Sequence, residues 1–303
     1  MDTRTAHLTE LQQIISGLIR EDGDLEVASG IWVYRRSNPT PMFHGESAVG
    51  YCAIAQGAKH VAVGDAGYTY STDDSLITSI ELPMISRVVE ASPERPYLSL
   101  KMDLNPGDVR SVILASDASA TAGDQDHSAF AVKPMSASLL DATVRLMRCV
   151  GHPAEMDIVA PMVKREIIFR LFTGGHHQRM RQIAGMNVVS GQIQTALARM
   201  QDQFQQPMKV EDFAAVAGMS TSSFYDHFKK VTGLTPLQYQ KQLRLREARR
   251  LLQTQPIDAA EAGFAVGYTD ASHFNREYKK MFGLPPMRDI EQLRESAELA
   301  EAS

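Results

Sequence analysis

The 303-residue sequence predicts an α+β fold with a β-rich N-terminal domain flanked by helices and an all-α C-terminal domain. Two observations support this prediction. Apolar residues alternate with polar ones in the N-terminal half, most clearly over 97–104, which is typical of half-buried strands. In the C-terminal part, one sequence pattern occurs at 224–236 and again at 274–286, with its aromatic residues at helical spacing.

The N-terminal half begins with a predicted helix over 3–20, whose apolar stripe consists of Leu8, Leu11, Ile15 and Leu18. Short strands are predicted at 31–36, 48–56, 59–63, 67–71, 76–82, 85–90 and 97–104, separated by Gly, Pro, Asn and Asp turn signals. Many short strands at this spacing predict a β-barrel or a sandwich. A loop over 115–127 and helices near 137–150 and 155–173 complete the half.

The C-terminal repeat is explained by two copies of a helix, a turn and a second helix. Each second helix has its aromatic residues at i and i+4, at Phe224 and Phe228 and again at Phe274 and Tyr278, so these side chains face a core. A glycine lies in each turn, the second turn has one extra residue, and Ser220 is the predicted N-cap of the first copy. A helix-turn-helix presents its second helix to the DNA major groove.

A long connecting helix is predicted between the copies, over 236–253, with Thr235 as its N-cap and Pro236 at its first position. At 1.5 Å per residue this helix is about 27 Å long. Successive major-groove faces lie about 34 Å apart along the duplex. The connector therefore has the right length to place both units on successive turns of double-stranded DNA.

The charge distribution agrees with this assignment, although the net charge of the whole chain is −5. Residues 1–175 contain 15 Lys and Arg against 22 Asp and Glu, a net charge of −7. Residues 176–290 contain 15 against 10, a net charge of +5, and the tail 291–303 contains 1 against 4, a net charge of −3. The basic segment coincides with the repeat, as neutralisation of DNA phosphates requires.

Residues from about 187 to 290 strongly resemble the AraC/XylS transcriptional regulators, whose DNA-binding domain consists of two helix-turn-helix units joined by a long helix. The matching stretches are 218–220, 224–229, 243–252, 266–268 and 274–286. The resemblance implies a sequence-specific transcription regulator, expected to be an activator that binds as a homodimer and acts on RNA polymerase. One departure is Gly263, where many members have Ala, and this glycine predicts a weak helix before the second turn.

The N-terminal half resembles one AraC-type subgroup, on the stretches 56–59, 81–83, 90–97 and 161–167. The fold that this resemblance implies is a small cupin-like barrel followed by helices. The expected organisation is a sensor and dimerisation domain (1–175), a linker (176–187), the DNA-binding domain (188–290) and an acidic C-terminal tail (291–303). Members of the subgroup respond to differing small molecules, so the effector remains unidentified.

The resemblance to the AraC/XylS family, carried over by position within the motif, implies which residues contact DNA. The base-reading candidates are Ser222, Tyr225, Asp226, Ser272, His273 and Arg276. Arg276 is the strongest candidate, because a guanidinium can bind guanine O6 and N7 in a bidentate manner. The alternatives for Arg276 are an ion pair with Glu277 or a simply solvated side chain. Asp226 is expected to weaken readout unless it accepts from cytosine N4. The candidates for backbone contacts are Thr221, Lys229, Lys230, Asn275, Lys279 and Lys280.

The basic residues of the connecting helix have a different expected role. They are predicted to form a solvated face with at most incidental phosphate contacts, and they are Lys241, Arg244, Arg246, Arg249 and Arg250.

Effector-pocket candidates lie on two of the N-terminal strands, and they are Trp32, Tyr34, Tyr51 and Cys52. Alternation over 48–56 puts Cys52 and Tyr51 on opposite faces, and one of these faces must line the barrel. A lone cysteine is most often buried and inert. The alternatives are a thiolate attacked by electrophiles, since some members of the subgroup resemble sensors of reactive carbonyl compounds, and an apolar ligand bound non-covalently. Lys59 or His60 could lower the pKa of Cys52 if either turned inward.

Several other classes of protein are disfavoured. We find no membrane span or secretory signal, and two cysteines 97 positions apart suit a reducing cytoplasm. The histidines lack the spacing of a metal site, and nucleophile-elbow and nucleotide-binding motifs are missing. We therefore expect a non-enzyme without metal or cofactor. The alternative is a cupin-like protein that binds or converts a small molecule and whose DNA binding is vestigial.

Overall fold

The computed structural model describes residues 2–64, 66–116 and 127–301, with side chains described up to residue 295. The chain divides into two compact units. The first comprises Met1–Gly191 and Lys230–Gly233, and the second comprises Gln192–Lys229 and Leu234–Ser303.

The first unit contains two antiparallel sheets and several helices. The strands are β1 (Gly23–Ala28), β2 (Ile31–Arg36), β3 (Phe43–Glu46), β4 (Gly50–Gln56), β5 (Ala58–Val63), β6 (Ala66–Tyr70), β7 (Asp74–Thr78), β8 (Pro83–Glu90), β9 (Tyr97–Asp103) and β10 (Phe130–Pro134). The helices are α1 (Thr3–Leu18), α2 (Pro106–Ala115), α3 (Ala137–Cys149), α4 (Pro153–Leu171) and α5 (His177–Ile183). One sheet has the order β1-β2-β9-β4-β7-β10 and the other β3-β8-β5-β6.

The two faces of the larger sheet have different surroundings. Its outer face packs against helices, and Leu98, Leu100 and Met102 of β9 share a core there with residues of α1, α3 and α4. Its inner face meets the smaller sheet, since the ring of Tyr68 on β6 lies 5.7 Å from that of Phe130 on β10. The two sheets therefore enclose a barrel-like interior, and the predicted α+β class is confirmed.

Some elements of the first unit were not predicted. They are β1, β3, β10 and α2. Helix α2 begins at the segment Asn-Pro-Gly, whose residue types are turn signals but here start a helix. The Asn105 side chain accepts hydrogen bonds from Gly107 N (2.8 Å) and Asp108 N (3.4 Å), and Pro106 occupies the first helical position. Most of the predicted loop over 115–127 lies outside the described residues.

Residues 176–187, predicted as a linker, instead contain α5 and belong to the core of the first unit. Met180 and Ile183 are buried in the same cluster as the helices that precede them. His176 follows a kink at Gly174 and Gly175, and its Nε2 lies 3.0 Å from Ser75 Oγ on β7. Burial lowers the pKa of His176 to about 3, with Arg179 and Lys133 adding to the effect. The boundary between the units therefore falls after Gly191.

The second unit is helical throughout. Its helices are α6 (Val188–Gln203, which begins in the first unit), α7 (Val210–Val216), α8 (Thr221–Thr232), α9 (Pro236–Thr254), α10 (Ala259–Ala265), α11 (Ala271–Phe282) and α12 (Pro286–Glu301). The predicted connector corresponds to α9, which begins with the expected cap because Thr235 and Gln238 form a capping box before Pro236. Residues 291–301, predicted as part of a separate tail, continue α12.

Among the described residues, no helix is both long enough and apolar enough to cross a membrane.

Candidate functional site

The two helix-turn-helix units close their turns with the same backbone hydrogen bonds. In the first helix-turn-helix, the amides of Gly218 and Met219 donate to carbonyls three and five residues earlier. The amides of Gly267 and Tyr268 do the same in the second helix-turn-helix. This pair of bonds is the Schellman motif, which requires a left-handed residue, and the φ angles of the glycines are +65° and +93°. The turn of the second helix-turn-helix has the predicted extra residue, because α11 begins four residues after Gly267 whereas α8 begins three residues after Gly218.

Helix α8 has one buried and one exposed face. Phe224 and Phe228 are fully buried, with ring centroids 5.4 Å apart, and Phe228 packs edge-on against Tyr239 of α9 at 5.8 Å. Ser220 caps the helix as expected, because its Oγ accepts from Ser223 N at 3.3 Å. The exposed positions include all of the proposed DNA contacts of the first helix-turn-helix, namely Thr221, Ser222, Tyr225, Asp226, Lys229 and Lys230.

Helix α11 repeats this arrangement. Phe274 and Tyr278 are fully buried, and the exposed positions are Ser272, His273, Asn275, Arg276, Lys279 and Lys280. Glu277 does not pair with Arg276 but with Lys241 of α9, at 2.6 Å. Within the described part of the chain, the Arg276 side chain forms no hydrogen bond or ion pair. Its guanidinium is therefore available to a base edge.

Gly263 permits close packing between α10 and α11 of the second helix-turn-helix. It was expected to weaken α10, yet α10 spans Ala259–Ala265 and begins with a capping box formed by Asp258 and Glu261. A Cβ atom at position 263 would lie 2.9 Å from Cγ of Phe274. The glycine thus lets α10 approach the buried ring of α11, which compensates for its low helix propensity.

Arg249 and Arg244 of α9 are structural and do not lie on a solvated face, contrary to the prediction. Arg249 donates two hydrogen bonds of 2.8 Å to the carboxylate of Asp289, which also accepts from the Tyr278 hydroxyl at 2.7 Å. Arg250 does remain exposed, paired with Glu247. Helical spacing could have revealed the difference, since position 249 lies four residues after buried Leu245 and three before buried Leu252.

Arg244 connects three segments of the second unit. Its guanidinium donates to the carbonyls of Phe204 (2.6 Å), Gln205 (3.0 Å) and Gln206 (2.8 Å), which follow α6. It also donates to the Gly267 carbonyl in the second turn at 3.0 Å. A single side chain of α9 therefore fixes the second turn against the end of α6.

The inner faces of the two sheets bring several chemically active side chains together in the first unit. The strand registers align Trp32 and Cys52 with Lys101, and Tyr34 with Ser99. From the smaller sheet, Lys59 lies on the face that also contains buried Val61 and Val63. Trp32, Tyr34 and Cys52 are partly exposed, whereas the outer-face residues Ile31, Val33, Tyr51 and Ala53 are buried.

Tyr51 does not belong to this interior, although it was a candidate for the effector pocket. The side chains of β4 alternate, so Tyr51 points towards the helices, where its hydroxyl lies 3.0 Å from Thr143 Oγ1 and 3.7 Å from Met135 Sδ. It is fully buried in the helix-side core. Three of the four candidates, Trp32, Tyr34 and Cys52, therefore remain on the inner face.

The surroundings of Cys52 keep its thiol protonated. Burial raises the pKa of Cys52, and Lys59 and Lys101 only partly oppose that effect. Lys59 does turn inward, but burial also lowers the pKa of its ammonium. His60 lies on the opposite face of β5, with its Nδ1 3.0 Å from Thr69 Oγ1. The geometry therefore gives no support to a thiolate at neutral pH.

Within the described residues, no three His, Cys, Asp or Glu side chains are grouped so that they could hold a metal ion.

Comparison with known families gives two matches. A model described as the AraC-type transcriptional regulator N-terminus matches residues 28–179, and a helix-turn-helix domain model matches residues 213–292. The second match covers both turns described above.

Curated relatives match parts of the chain. The HTH-type transcriptional activator RhaS of Klebsiella pneumoniae (strain 342) is 30% identical over 154 residues, which are 50% of this chain and 53% of RhaS. The HTH-type transcriptional regulator GbdR of Pseudomonas aeruginosa (strain UCBPP-PA14) is 26% identical over 149 residues, which are 48% of this chain and 40% of GbdR. The chain thus spans about half the length, or less, of these relatives.

A solved structure covers both units. ToxT from Vibrio cholerae O395, in complex with (E)-4-(8-methylnaphthalen-1-yl)but-3-enoic acid, has a TM-score of 0.53 to this chain. The likeness covers 86% of this chain and 97% of ToxT at 11% sequence identity, and at that identity it shows a shared fold only.

Proposed function

Because this chain belongs to the AraC-type transcriptional regulators, we propose that it activates transcription by binding double-stranded DNA as a homodimer and contacting RNA polymerase. A small molecule bound inside the first unit controls this activity. Helices α8 and α11 enter successive major grooves, so each protomer recognises two short elements about 10 base pairs apart on one face of the duplex.

One observation supports DNA binding above all others. The two second helices begin after equivalent Schellman turns, bury their aromatic residues and leave every expected DNA-contacting side chain exposed. On α11 the acidic Glu277 is neutralised by Lys241, so the cations Arg276, Lys279 and Lys280 dominate the outward face. Such a face suits a duplex, where lysines position the protein and an arginine reads a base.

The test compares two residues of α11 that differ in their proposed role. Arg276→Ala should cost about 1–3 kcal/mol of binding free energy on a site selected by the full-length protein, and should relax the preference at one base position. Lys279→Ala should weaken binding to all sequences alike and reduce the slope of log K against log salt by about one. Fluorescence anisotropy on the selected and a scrambled duplex measures both effects.

A matched control for Arg276→Ala is Arg250→Ala, which removes an exposed arginine that pairs with Glu247 of its own helix. Its specificity should equal that of the unmodified protein. If Arg276→Ala and Lys279→Ala lose affinity equally on both duplexes, Arg276 does not read a base.

The proposed homodimer uses an exposed apolar stripe on α4. Ile158 and Met162 are 67% and 60% exposed, and Phe169, two turns further along, is 39% exposed. The opposite side of the helix buries Val163 and Ile167 in the core of the first unit. Apolar side chains this exposed on one helix face are typical of an interface between helices, and Arg165, which donates to Ser111 Oγ, separates Met162 from Phe169 on that face.

Met162→Glu should disrupt this dimer, because burying a carboxylate without a partner costs more than the contact contributes. Sedimentation at tens of micromolar should show a dimer for the unmodified protein and a monomer for the variant. Lys164→Glu, a change on another side of α4, should leave the dimer intact. A monomeric unmodified protein, or a dimeric Met162→Glu, would remove this surface from the proposal.

A further inference from the structure

The interior of the first unit contains a positive charge without a matching negative one. Lys59 projects from β5 onto the inner face, in register with Tyr70 on one side and Val88 on the other. In the described part of the chain its ammonium forms no hydrogen bond or ion pair. An ammonium taken from water without a counter-charge is strongly disfavoured, and burial lowers the pKa of Lys59 accordingly.

The carboxylates nearest to this interior are already paired. Asp24 accepts a hydrogen bond of 2.7 Å from Arg36, and Asp103 lies 2.9 Å from the ammonium of Lys101. Both aspartate side chains are also close to half exposed, which weakens their effect on Lys59, so Asp24 only partly opposes the lowering of the Lys59 pKa by burial.

The thiol and hydroxyl groups around Lys59 are neutral. Burial raises the pKa of the Cys52 thiol and of the hydroxyls of Tyr34, Tyr70 and Tyr97, so all four groups are protonated at pH 7. They can donate hydrogen bonds but cannot balance a cation. Aromatic and aliphatic side chains, among them Trp32 and Ile54, lie on the same face, together with Ser99 and with Lys101, whose ammonium pairs with Asp103.

We propose that the effector is a small organic monocarboxylate, whose head group binds Lys59 and whose apolar body lies between Trp32 and the inner-face tyrosines. This inference deepens the proposed function and rests on it, because it names the chemical class of the controlling molecule. A carboxylate supplies the missing charge and accepts hydrogen bonds from neutral hydroxyls. A few polar groups within an otherwise apolar site are what small-molecule pockets usually provide.

The chain provides its own reporter for a test. Trp32 is the single tryptophan of the sequence and lies on this inner face, so its fluorescence reports binding at this site. The full-length protein is titrated with octanoate and phenylacetate and with their neutral counterparts, octanamide and phenylacetamide. We expect saturable binding of at least one carboxylate, at least about 10-fold tighter than its amide, as a hydrogen bond to a charged group implies.

Substitutions then locate the charge. Lys59→Met should abolish the preference for the carboxylate and should not lower the thermal stability of the free protein, because it removes an unmatched buried charge. Lys59→Arg should keep the preference, and so should Lys164→Met on α4 and Cys52→Ser, whose thiol the proposal does not use. DNA binding of the unmodified protein, measured separately, tests the proposed function without reference to any ligand.

Three results would overturn the inference. The first is that no carboxylate binds, or that carboxylates and amides bind alike. The second is that Lys59→Met retains the preference, or that Cys52→Ser loses it. The third is that Lys59→Met unfolds or is markedly destabilised, which would show that the ammonium has a structural partner.

Discussion

Asp289→Ala is expected to destabilise the second unit by about 3–5 kcal/mol and to abolish binding at its second DNA element. Asp289 is 5% exposed, and its two oxygens accept three hydrogen bonds, two from Arg249 and one from Tyr278. Removing the carboxylate leaves a guanidinium and a hydroxyl without their partner inside the core that holds α11 in place. Such an uncompensated charge is among the most destabilising changes known.

Urea unfolding followed by far-ultraviolet circular dichroism measures this loss, while Trp32 fluorescence follows the first unit separately. The double variant Arg249→Met with Asp289→Leu removes both charges, and it should recover most of the stability that Asp289→Ala loses. Tyr278→Phe should cost only about 1 kcal/mol, because one hydrogen bond is lost and its acceptor keeps the arginine. If the double variant is less stable than Asp289→Ala, the ion pair itself is a net source of stability.

The DNA-facing side chains could be assigned from the sequence because their positions follow from helical spacing alone. Phe224, Phe228, Phe274 and Tyr278 fix which face of each helix is buried, and the opposite face is then determined. That these exposed side chains contact bases is a proposal, which the Arg276→Ala and Lys279→Ala variants test.

Long-range contacts could not be predicted in this way. The sequence suggested that Arg276 could pair with Glu277, whereas Glu277 pairs with Lys241, 36 positions earlier on another helix. Tyr51 and Cys52 were both candidates for one pocket, although strand alternation places adjacent residues on opposite faces, and only the location of the helices shows which face is the interior. Similarly, residues 176–187 are predicted from the sequence as a linker, but His176 is buried against β7.

Arg244→Met is expected to destabilise the second unit by about 2–4 kcal/mol, because four backbone carbonyls lose a charged donor. Those carbonyls lie in two places, after the end of α6 and in the turn before α11. Without the guanidinium, the second turn is no longer fixed against α6, so affinity for the second DNA element should fall more than affinity for the first. Arg244→Lys should recover less than half of the loss, since an ammonium cannot reproduce a planar fork of donors.

Two other substitutions on α9 make this prediction specific. Arg250→Met removes an exposed arginine of the same helix that pairs with Glu247, and it should leave the unfolding midpoint almost unchanged. Gln240→Ala removes two neutral hydrogen bonds to the carbonyls of Phe204 and Gln206, and its effect should lie between those of Arg250→Met and Arg244→Met. Equal losses for Arg244→Met and Arg250→Met, in unfolding and in binding to either element, would show that Arg244 does not connect these segments.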